Sequence, residues 1–469
     1  MKLPALTNLF MTIYIIQSEL LYLQGKNADN RNNILYMRVE RKRNLQRLVN
    51  SRKNGQIKII TGVRRCGKSY LLGVLYRDYL LQSGVLPEEI ISVELDNDIN
   101  FRYRNPLELG SYLREKVSDT DKDYYILLDE IQMVETIDNP YLPKGSESKI
   151  TFVDVLLGLK SLPNVDVYVT GSNSKMLSSD VATAFRDRGE EIHITPLTYD
   201  EFYAAYPKDK RYAWREFMTY GGMPYVLYKN THEEKSKYLQ DLFRLTYLKD
   251  VIERNRLRAN IEVLDELLNV VASVVGSLSN PTRLSNTFQS VKGLKIKNET
   301  ISTYLDCFID AYILSKSYRY DIKGRSYIDT PLKYYFTDIG LRNVRLNFRQ
   351  QEENHIMENI IYNELIARGF NVDVGVVEYN HTDEKGKKIR TQLEVDFVVN
   401  QTDKRYYIQS ALTVADEEKR QQEINSLNRI NDSYTKIVVV RDNVLPWIDE
   451  KGVQYINIED FLLEKINEL

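Results

Sequence analysis

The stretch that most constrains the fold of this chain is residues 62–69, which read G-V-R-R-C-G-K-S. They fit G-x-x-x-x-G-K-[ST], the P-loop pattern whose backbone N–H groups surround nucleotide phosphates. Residues 56–60 read as a short strand before the loop, and residues 70–75 read as a helix after it. This context predicts an α/β fold in which the positive end of a helix faces the phosphates beside a parallel sheet.

Each position of the predicted loop has a chemical role. The Lys68 ammonium can reach the β- and γ-phosphates, and the Ser69 hydroxyl can bind Mg²⁺. We therefore expect ATP and Mg²⁺ as cofactors, with Lys68 acting in catalysis. The residues predicted to bind the nucleotide are Gly62, Val63, Arg64, Arg65, Cys66, Gly67, Lys68, Ser69 and Tyr70.

A second motif follows about sixty residues later. Residues 124–130 read Y-Y-I-L-L-D-E, which is a hydrophobic run that ends in two acids. Such a run suits a strand buried in a parallel sheet, with the acids at its carboxyl end. We expect Asp129 to hold Mg²⁺ through water and Glu130 to act as the general base on the attacking water.

Two further residues are weaker candidates for catalysis. Residues 165–173 predict a third strand beside the P-loop strand, after which Asn173, or alternatively Ser172, would sense the γ-phosphate. An ordinary turn is the other interpretation. Arg188, or alternatively Arg186, could stabilise transition-state charge as an arginine finger; the alternative is a surface or structural arginine. No guanine-selecting motif follows the acid pair, which favours ATP over GTP.

Length and composition exclude several classes of protein. A chain of 469 residues allows about three domains. Its net charge of −2 does not mark a nucleic-acid binder, and its two cysteines suggest a reducing compartment, so we expect a cytoplasmic protein. The apolar run at 9–16 is too short to span a membrane. We interpret residues 1–36 as an upstream extension or start-site artefact, with a surface helix as the alternative.

The chain resembles the prokaryotic AAA-type ATPase family that fuses a P-loop domain to a C-terminal restriction-endonuclease-like domain. The matching runs lie in family order over about residues 40–445, at residues 61–69, 128–132, 170–173, 196–202, 220–224 and 335–341. The resemblance implies an ASCE-type ATPase core, a helical lid, a winged-helix-like segment and a nuclease-like end. Asp187 precedes Arg188 where the family usually has glycine, which weakens the finger assignment.

We accordingly divide the rest of the chain into a P-loop core (37–197), a helical lid (198–260), a winged-helix-like domain (261–345) and a nuclease-like domain (346–469). In the third segment, Asn298 would cap a recognition helix, and nearby lysines (Lys292, Lys295 and Lys297) would contact the phosphates of double-stranded DNA. A winged helix that binds protein, or nothing, is the alternative.

The last segment predicts the order αβββαβ, which resembles the restriction-endonuclease core. Glu358 and Asp396 match two acids that bind metal in active members, but Gln409 and Ala411 stand where a carboxylate and a lysine are needed. Lys419 or Lys404 could replace the lysine. We expect a nuclease scaffold without nuclease activity.

The sequence thus predicts an ATP-hydrolysing switch or machine, with double-stranded DNA as one candidate for what it acts on. Two alternatives remain: a DNA-binding regulatory module in which nucleotide is only a switch, and a degenerate nuclease. Self-association into a homo-oligomer, and whether Arg188 acts within one chain or between two, are left open.

Overall fold

The computed structural model describes residues 38–143, 147–171, 188–247, 251–252, 261–293, 296–349, 352–382 and 386–469. The chain divides into a unit over Met1–Val39, of which only residues 38–39 are described, and a unit over Glu40–Leu469. All elements named below belong to the second unit. No helix among the described residues is long and apolar enough to cross a membrane.

The first part of this unit is built on a parallel sheet. Its strands are β1 (Ile57–Thr61), β2 (Ile90–Glu94), β3 (Tyr124–Asp129), β6 (Val165–Thr170) and β7 (Gly189–His193), and a small ribbon is made of β4 (Ile137–Asp138) and β5 (Lys149–Ile150). The helices around it are α1 (Lys42–Asn50), α2 (Lys68–Tyr70), α3 (Arg77–Gln82), α4 (Pro106–Lys116) and α5 (Phe152–Lys160), with a π-helical segment, Leu71–Tyr76, between α2 and α3.

The strand order of this sheet is β2-β3-β6-β1-β7, with every neighbouring pair parallel. All of β1 and the first five residues of β3 are buried, as expected for strands that are covered on both faces. The predicted α/β fold with a parallel sheet is confirmed. β6 lies directly beside the P-loop strand β1, where the sequence pattern put the third strand.

The middle of the chain is mainly helical. It contains α6 (Tyr199–Ala205), α7 (Ala213–Tyr220), α8 (His232–Asp241), a π-helical segment (Leu242–Tyr247), α9 (Ile261–Ser273), α10 (Pro281–Lys292) and α11 (Asn298–Asp310). A hairpin of β8 (Leu314–Asp321) and β9 (Ser326–Phe336) then leads into α12 (Ile339–Arg345). Three helices and a hairpin are the element order that the sequence pattern indicated for residues 261–336.

One detail of that segment was predicted wrongly. Asn298 does not cap the expected recognition helix, because α11 begins at this residue and its preceding residue makes no side-chain cap. The Asn298 amide instead donates to the Thr282 hydroxyl on α10 at 3.0 Å. The Asn298 side chain therefore bonds to a neighbouring helix, whereas local capping rules predict a bond to the backbone of its own helix.

The final elements are α13 (Glu353–Ala367), β10 (Asn371–Thr382), β11 (Lys388–Gln401), β12 (Lys404–Ala411), α14 (Glu417–Ile424), β13 (Thr435–Val440), β14 (Trp447–Ile448), β15 (Val453–Asn457) and α15 (Ile458–Leu463). They include the expected αβββαβ order. Their sheet has eight strands in the order β14-β15-β13-β12-β11-β10-β8-β9.

The hairpin of the middle segment is part of this second sheet. β8 pairs in parallel with β10 over Val374–Val376, so the boundary we placed at 345/346 runs through a continuous hydrogen-bonded sheet. The physical reason is that β10 would otherwise be an edge strand with unpaired backbone groups, and β8 covers it. The hydrophobic pattern of a sequence indicates where helices and strands begin and end, but it does not indicate which strands pair at the edge of a sheet.

Candidate functional site

Two glycines are required by the backbone of the P-loop. Gly62 has a φ of 141°, and a Cβ there would lie 2.1 Å from the carbonyl oxygen of Ile194. Gly67 has a φ of 104° and immediately precedes α2. Because only glycine adopts such φ values without strain, these two motif positions are fixed by the turn itself.

Lys68 lies inside the curve of the loop. The side chain is 4% exposed, and its Nζ donates to the carbonyl oxygens of Gly62 at 3.0 Å and Val63 at 3.2 Å. Ser69, the next residue, keeps an exposed side chain at the start of the helix. The motif predicts a phosphate contact for this ammonium and a metal contact for this hydroxyl.

A buried arginine supports the loop from behind. Arg41 is 1% exposed, its Nη1 donates to the Cys66 carbonyl at 2.8 Å, and its Nη2 donates to the Thr195 carbonyl at 2.7 Å. Its Nε lies 3.1 Å from Oε2 of Glu201 on α6. Sequence reasoning missed Arg41 because it stands in the basic run 41–43, which looks like an ordinary solvated surface.

The acid pair ends β3 beside the loop. The Thr170 hydroxyl, at the end of β6, donates to Oδ1 of Asp129 and accepts the backbone N–H of Glu130 at 2.9 Å. The Ser69 hydroxyl lies close enough to the Asp129 carboxylate to favour its ionised form. Burial raises the pKa of Asp129, while the hydroxyls of Thr170 and Ser69 act in the opposite direction. The two predicted Mg²⁺ ligands are thus near each other, and Thr170 is a member of the site that the sequence analysis did not name.

Glu130 is held in an unusual backbone conformation. Its φ of 54° and ψ of 51° are left-handed, which is uncommon for a residue with a side chain and occurs often at functional sites. The Gln132 amide donates to a carboxylate oxygen of Glu130. The carboxylate is half-buried, so it keeps access to solvent while its orientation is restricted.

The remaining predicted catalytic residues are not brought to the loop by the described structure. Asn173, Ser172 and Arg186 lie outside the described residues. The carbonyl of Arg188 accepts the N–H of Ile57 at 2.9 Å, which puts this exposed arginine at the start of β1. The loop follows the other end of β1, roughly 15 Å away at ~3.3 Å per residue. Arg188 therefore does not face the P-loop of its own chain.

Residues of the middle segment approach the P-loop at two points. The Tyr247 hydroxyl, in the π-helical segment after α8, donates to the Arg64 carbonyl at 3.0 Å. Pro224 contacts Gly67, since a Cβ at that glycine would lie 3.8 Å from the proline Cγ. The glycine-rich turn that precedes Pro224 is thereby placed against the P-loop.

That turn is fixed by a buried carboxylate. Asp338 accepts the backbone N–H of Gly222 at 2.6 Å and of Leu341 at 3.1 Å, together with those of Met223 and Gly340. A Cβ at Gly221 would lie 2.2 Å from Asp338 Oδ1, so the turn tolerates only glycine there. Burial raises the pKa of Asp338 to about 6, against the effect of the four N–H donors.

A second group of charged side chains lies on the C-terminal sheet. The structure brings Glu358 and Asp396 together, as the sequence pattern indicated, and places Lys333 between them. Burial and the nearby Glu358 raise the pKa of Asp396 to about 8. A cavity of about 410 Å³ lies beside the two acids and is lined also by Gln409 and Lys419. Lys404 instead donates to the Leu469 carbonyl.

Known proteins resemble this chain along most of its length. A family profile described as an AAA domain matches residues 54–203, which span the whole first sheet, and one described as a domain of unknown function (DUF8612) matches residues 211–352. A Haemophilus influenzae protein described as uncharacterized is 31% identical over 434 residues, which cover 91% of this chain and 99% of that protein. This chain belongs to the family of that protein. The first part of this chain, residues 54–203, matches the AAA domain profile.

More distant relatives share less of the chain. The Methanocaldococcus jannaschii protein MJ1544, described as uncharacterized, is 28% identical over 333 residues, which cover 67% of each chain. Among solved structures, the Walker-type ATPase PABY2304 of Pyrococcus abyssi is 15% identical with a TM-score of 0.44, and the similarity covers 66% of this chain and 96% of that one. Similarity at this level carries no argument about function.

Proposed function

We propose that this chain binds ATP with Mg²⁺ in the P-loop and hydrolyses the nucleotide, acting as a nucleotide-driven switch or machine. One observation carries the proposal: the Thr170 hydroxyl at the end of β6 donates to Asp129 at the end of β3, and this pair lies near Ser69, which follows the buried Lys68 of the P-loop. Three separate stretches of sequence thus converge on one point, and each supplies a group that phosphate transfer uses.

The residues present fit a magnesium ion. Ser69 and Asp129 offer hydroxyl and carboxylate oxygens, the ligand type that Mg²⁺ prefers, and the two side chains are neighbours. When bound, the ion would neutralise phosphate charge. Lys68 would exchange its two carbonyl partners for phosphate oxygens, and Glu130, oriented by Gln132, would accept a proton from the attacking water.

Arg188 and Asn173 enter the proposal in different ways. Because Arg188 lies at the far edge of its own sheet, we assign it to the nucleotide site of a neighbouring copy, which requires a homo-oligomer. Asn173 follows β6, whose end carries Thr170, so the γ-phosphate sensor remains our assignment for this position.

The C-terminal sheet is interpreted as a nuclease-like scaffold without nuclease activity. The element order αβββαβ and the clustered Glu358 and Asp396 support the first part of that interpretation. The uncharged side chains at Gln409 and Ala411 support the second.

DNA is not included as a substrate in this proposal. The exposed side chains of α11 include Glu299, Thr303 and Asp306. Acidic side chains repel phosphate, and non-specific DNA affinity depends on cations. The hypothesis of a DNA-binding winged helix stays a prediction from the sequence.

The proposal is tested by measuring ATP affinity and phosphate release separately. Lys68→Ala should abolish both. Glu130→Gln should keep ATP affinity within a fewfold and slow phosphate release by about 10²–10⁴-fold, the usual effect of removing a general base. The matched control is Glu135→Gln, an exposed glutamate just beyond the site, which should leave both unchanged. Equal phosphate release by wild type and Glu130→Gln would refute the catalytic assignment.

A further inference from the structure

A lysine from the β8–β9 hairpin is buried among three carboxylates. Lys333, on β9, is 2% exposed, and its Nζ lies 2.7 Å from Oε1 of Glu358 and 2.7 Å from Oε1 of Glu394. The third acid, Asp396, has Oδ1 at 3.8 Å from the same nitrogen. α13 supplies Glu358, and β11 supplies the other two acids, so three elements meet around one ammonium group.

The number of hydrogen-bond donors on the ammonium matches the number of acids around it. A lysine head has three N–H donors and no acceptor, and here three carboxylates surround it. Glu358 also accepts the Tyr335 hydroxyl at 2.6 Å, so its Oε1 has two donors. A buried cation is costly unless it is paired and hydrogen-bonded, and these contacts supply that compensation without any bound ion.

The carboxylates do not fit a divalent metal. Gln409 stands where a third metal-binding acid would be expected, and its side-chain oxygen accepts the Asp396 N–H at 3.3 Å. The other Asp396 oxygen, Oδ2, accepts the Ser410 N–H at 2.8 Å. Over the described part of the chain, no group of three or more His, Cys, Asp or Glu side chains is arranged to hold a metal ion. The acid oxygens are directed to Lys333 and to backbone donors.

We propose that the Lys333 ammonium takes the place of a divalent metal ion in the C-terminal domain. It is a permanent internal counter-ion for Glu358 and Glu394, with the Asp396 carboxyl group beside them, and it makes this fold independent of metal. The adjoining cavity of about 410 Å³ is then not a metal-dependent hydrolytic site. Without the ammonium, Glu358, Glu394 and Asp396 would be free to turn their oxygens into the vacated space, and oxygen ligands of this kind suit Mn²⁺ or Mg²⁺.

The test measures Mn²⁺ binding by the full chain in the absence of nucleotide, by calorimetry and by the melting temperature with and without metal. Wild type and Glu358→Gln should behave alike, since neither holds metal at this site. Lys333→Met should bind one additional Mn²⁺ at least tenfold more tightly than wild type and should melt higher with metal. The gain should vanish in the double variant Lys333→Met/Glu358→Gln.

The matched control is Lys323→Met, an exposed lysine in the turn of the same hairpin, which should gain no metal binding. A wild-type Mn²⁺ site that Glu358→Gln weakens would overturn the proposal, and so would a folded Lys333→Met variant that gains no metal. Should Lys333→Met not fold, Lys333→Gln replaces it, and the comparison of wild type with Glu358→Gln decides independently of either variant.

Discussion

The buried lysines Lys68 and Lys333 differ in the charge of the groups to which they bond. Lys68 bonds two neutral carbonyl oxygens of the P-loop, whereas Lys333 bonds charged carboxylates. Both lysines are charged donors, but a carboxylate adds the attraction of a full opposite charge, whereas a carbonyl offers only a dipole. Lys68 can therefore leave its partners for phosphate oxygens at small cost, and Lys333 cannot leave its site.

Arg41, like Lys333, is a buried cation that is paired with a carboxylate. We expect Arg41→Met to destabilise the fold by about 3–5 kcal/mol, because it leaves Glu201 as an uncompensated buried charge and frees two carbonyls behind the P-loop. Urea unfolding measures this change. Arg102→Met, which removes an arginine from an exposed ion pair with Glu108, is the control and should leave the midpoint unchanged. Equal effects of the two substitutions would contradict the supporting role of Arg41.

At this scale the sequence predicts residues whose spacing is set by chemistry and misses those supplied by distant segments. Gly62, Gly67, Lys68 and Asp129 could be named because phosphate and metal recognition fixes their order along the chain. Lys333 could not be named, since nothing in its neighbourhood distinguishes it from a solvated lysine. Glu394 left a weak signal, because it alternates with Asp396 on one face of a strand.

Among the elements, the glycine-rich turn and α12 are joined through one carboxylate, and this gives a pH dependence. The pKa of Asp338 is about 6 in the folded state, above its ordinary 3.8. As the pH rises from about 4 to 6, the unfolded chain loses this proton while the folded chain retains it, so the contribution of Asp338 to stability falls across that window. Below and above the window the contribution is constant.

We expect Asp338→Asn to lack that decline. The difference in unfolding free energy, wild type minus variant, should decrease as the pH rises from 4 to 7, and chemical denaturation at a series of pH values measures it. Asp121→Asn, an exposed acid, should give a difference that does not vary with pH. A constant difference for Asp338→Asn would show that its carboxyl titrates normally in the fold.

Elements were predicted better than their pairing. Three strands of the first sheet (β1, β3 and β6), the three helices of 261–310 and the hairpin follow local patterns that the sequence carries directly. The joining of β8 to β10 depends on which edges meet in space, so no local pattern announces it. The capping error at Asn298 has the same origin, because a contact with Thr282 replaced a local one.

On the scale of the whole molecule, the AAA domain and the C-terminal sheet are held together by polar contacts. The Tyr199 hydroxyl on α6 donates to Oε2 of Glu459 on α15 at 2.7 Å, and its backbone N–H donates to Glu364 on α13. Arg43 on α1 pairs with Asp200 at 2.9 Å. Any movement of α6 on nucleotide binding would therefore change its hydrogen bonds to α13 and α15.

The position of Arg188 makes a prediction about assembly. Arg188→Ala should bind ATP but hydrolyse it very slowly. Lys68→Ala should neither bind nor hydrolyse ATP. If the arginine serves a neighbouring copy, mixing the two inactive variants should restore part of the phosphate release, because Lys68→Ala chains supply the arginine to intact P-loops. Lys42→Ala, an exposed lysine, replaces Lys68→Ala as the fully active control. No recovery on mixing would rule out action between chains.

The segment that leaves β9 has a consequence for how the chain tolerates changes in length. Lys333 and Asp338 are five residues apart. Lys333 is paired with Glu358 beside the second sheet, and Asp338 fixes the turn against the P-loop. A deletion or insertion of a single residue between them would shift one of these side chains by about 3.3 Å along the strand and reverse its facing. Two regions that are far apart in function should therefore fail together when this short connection is altered.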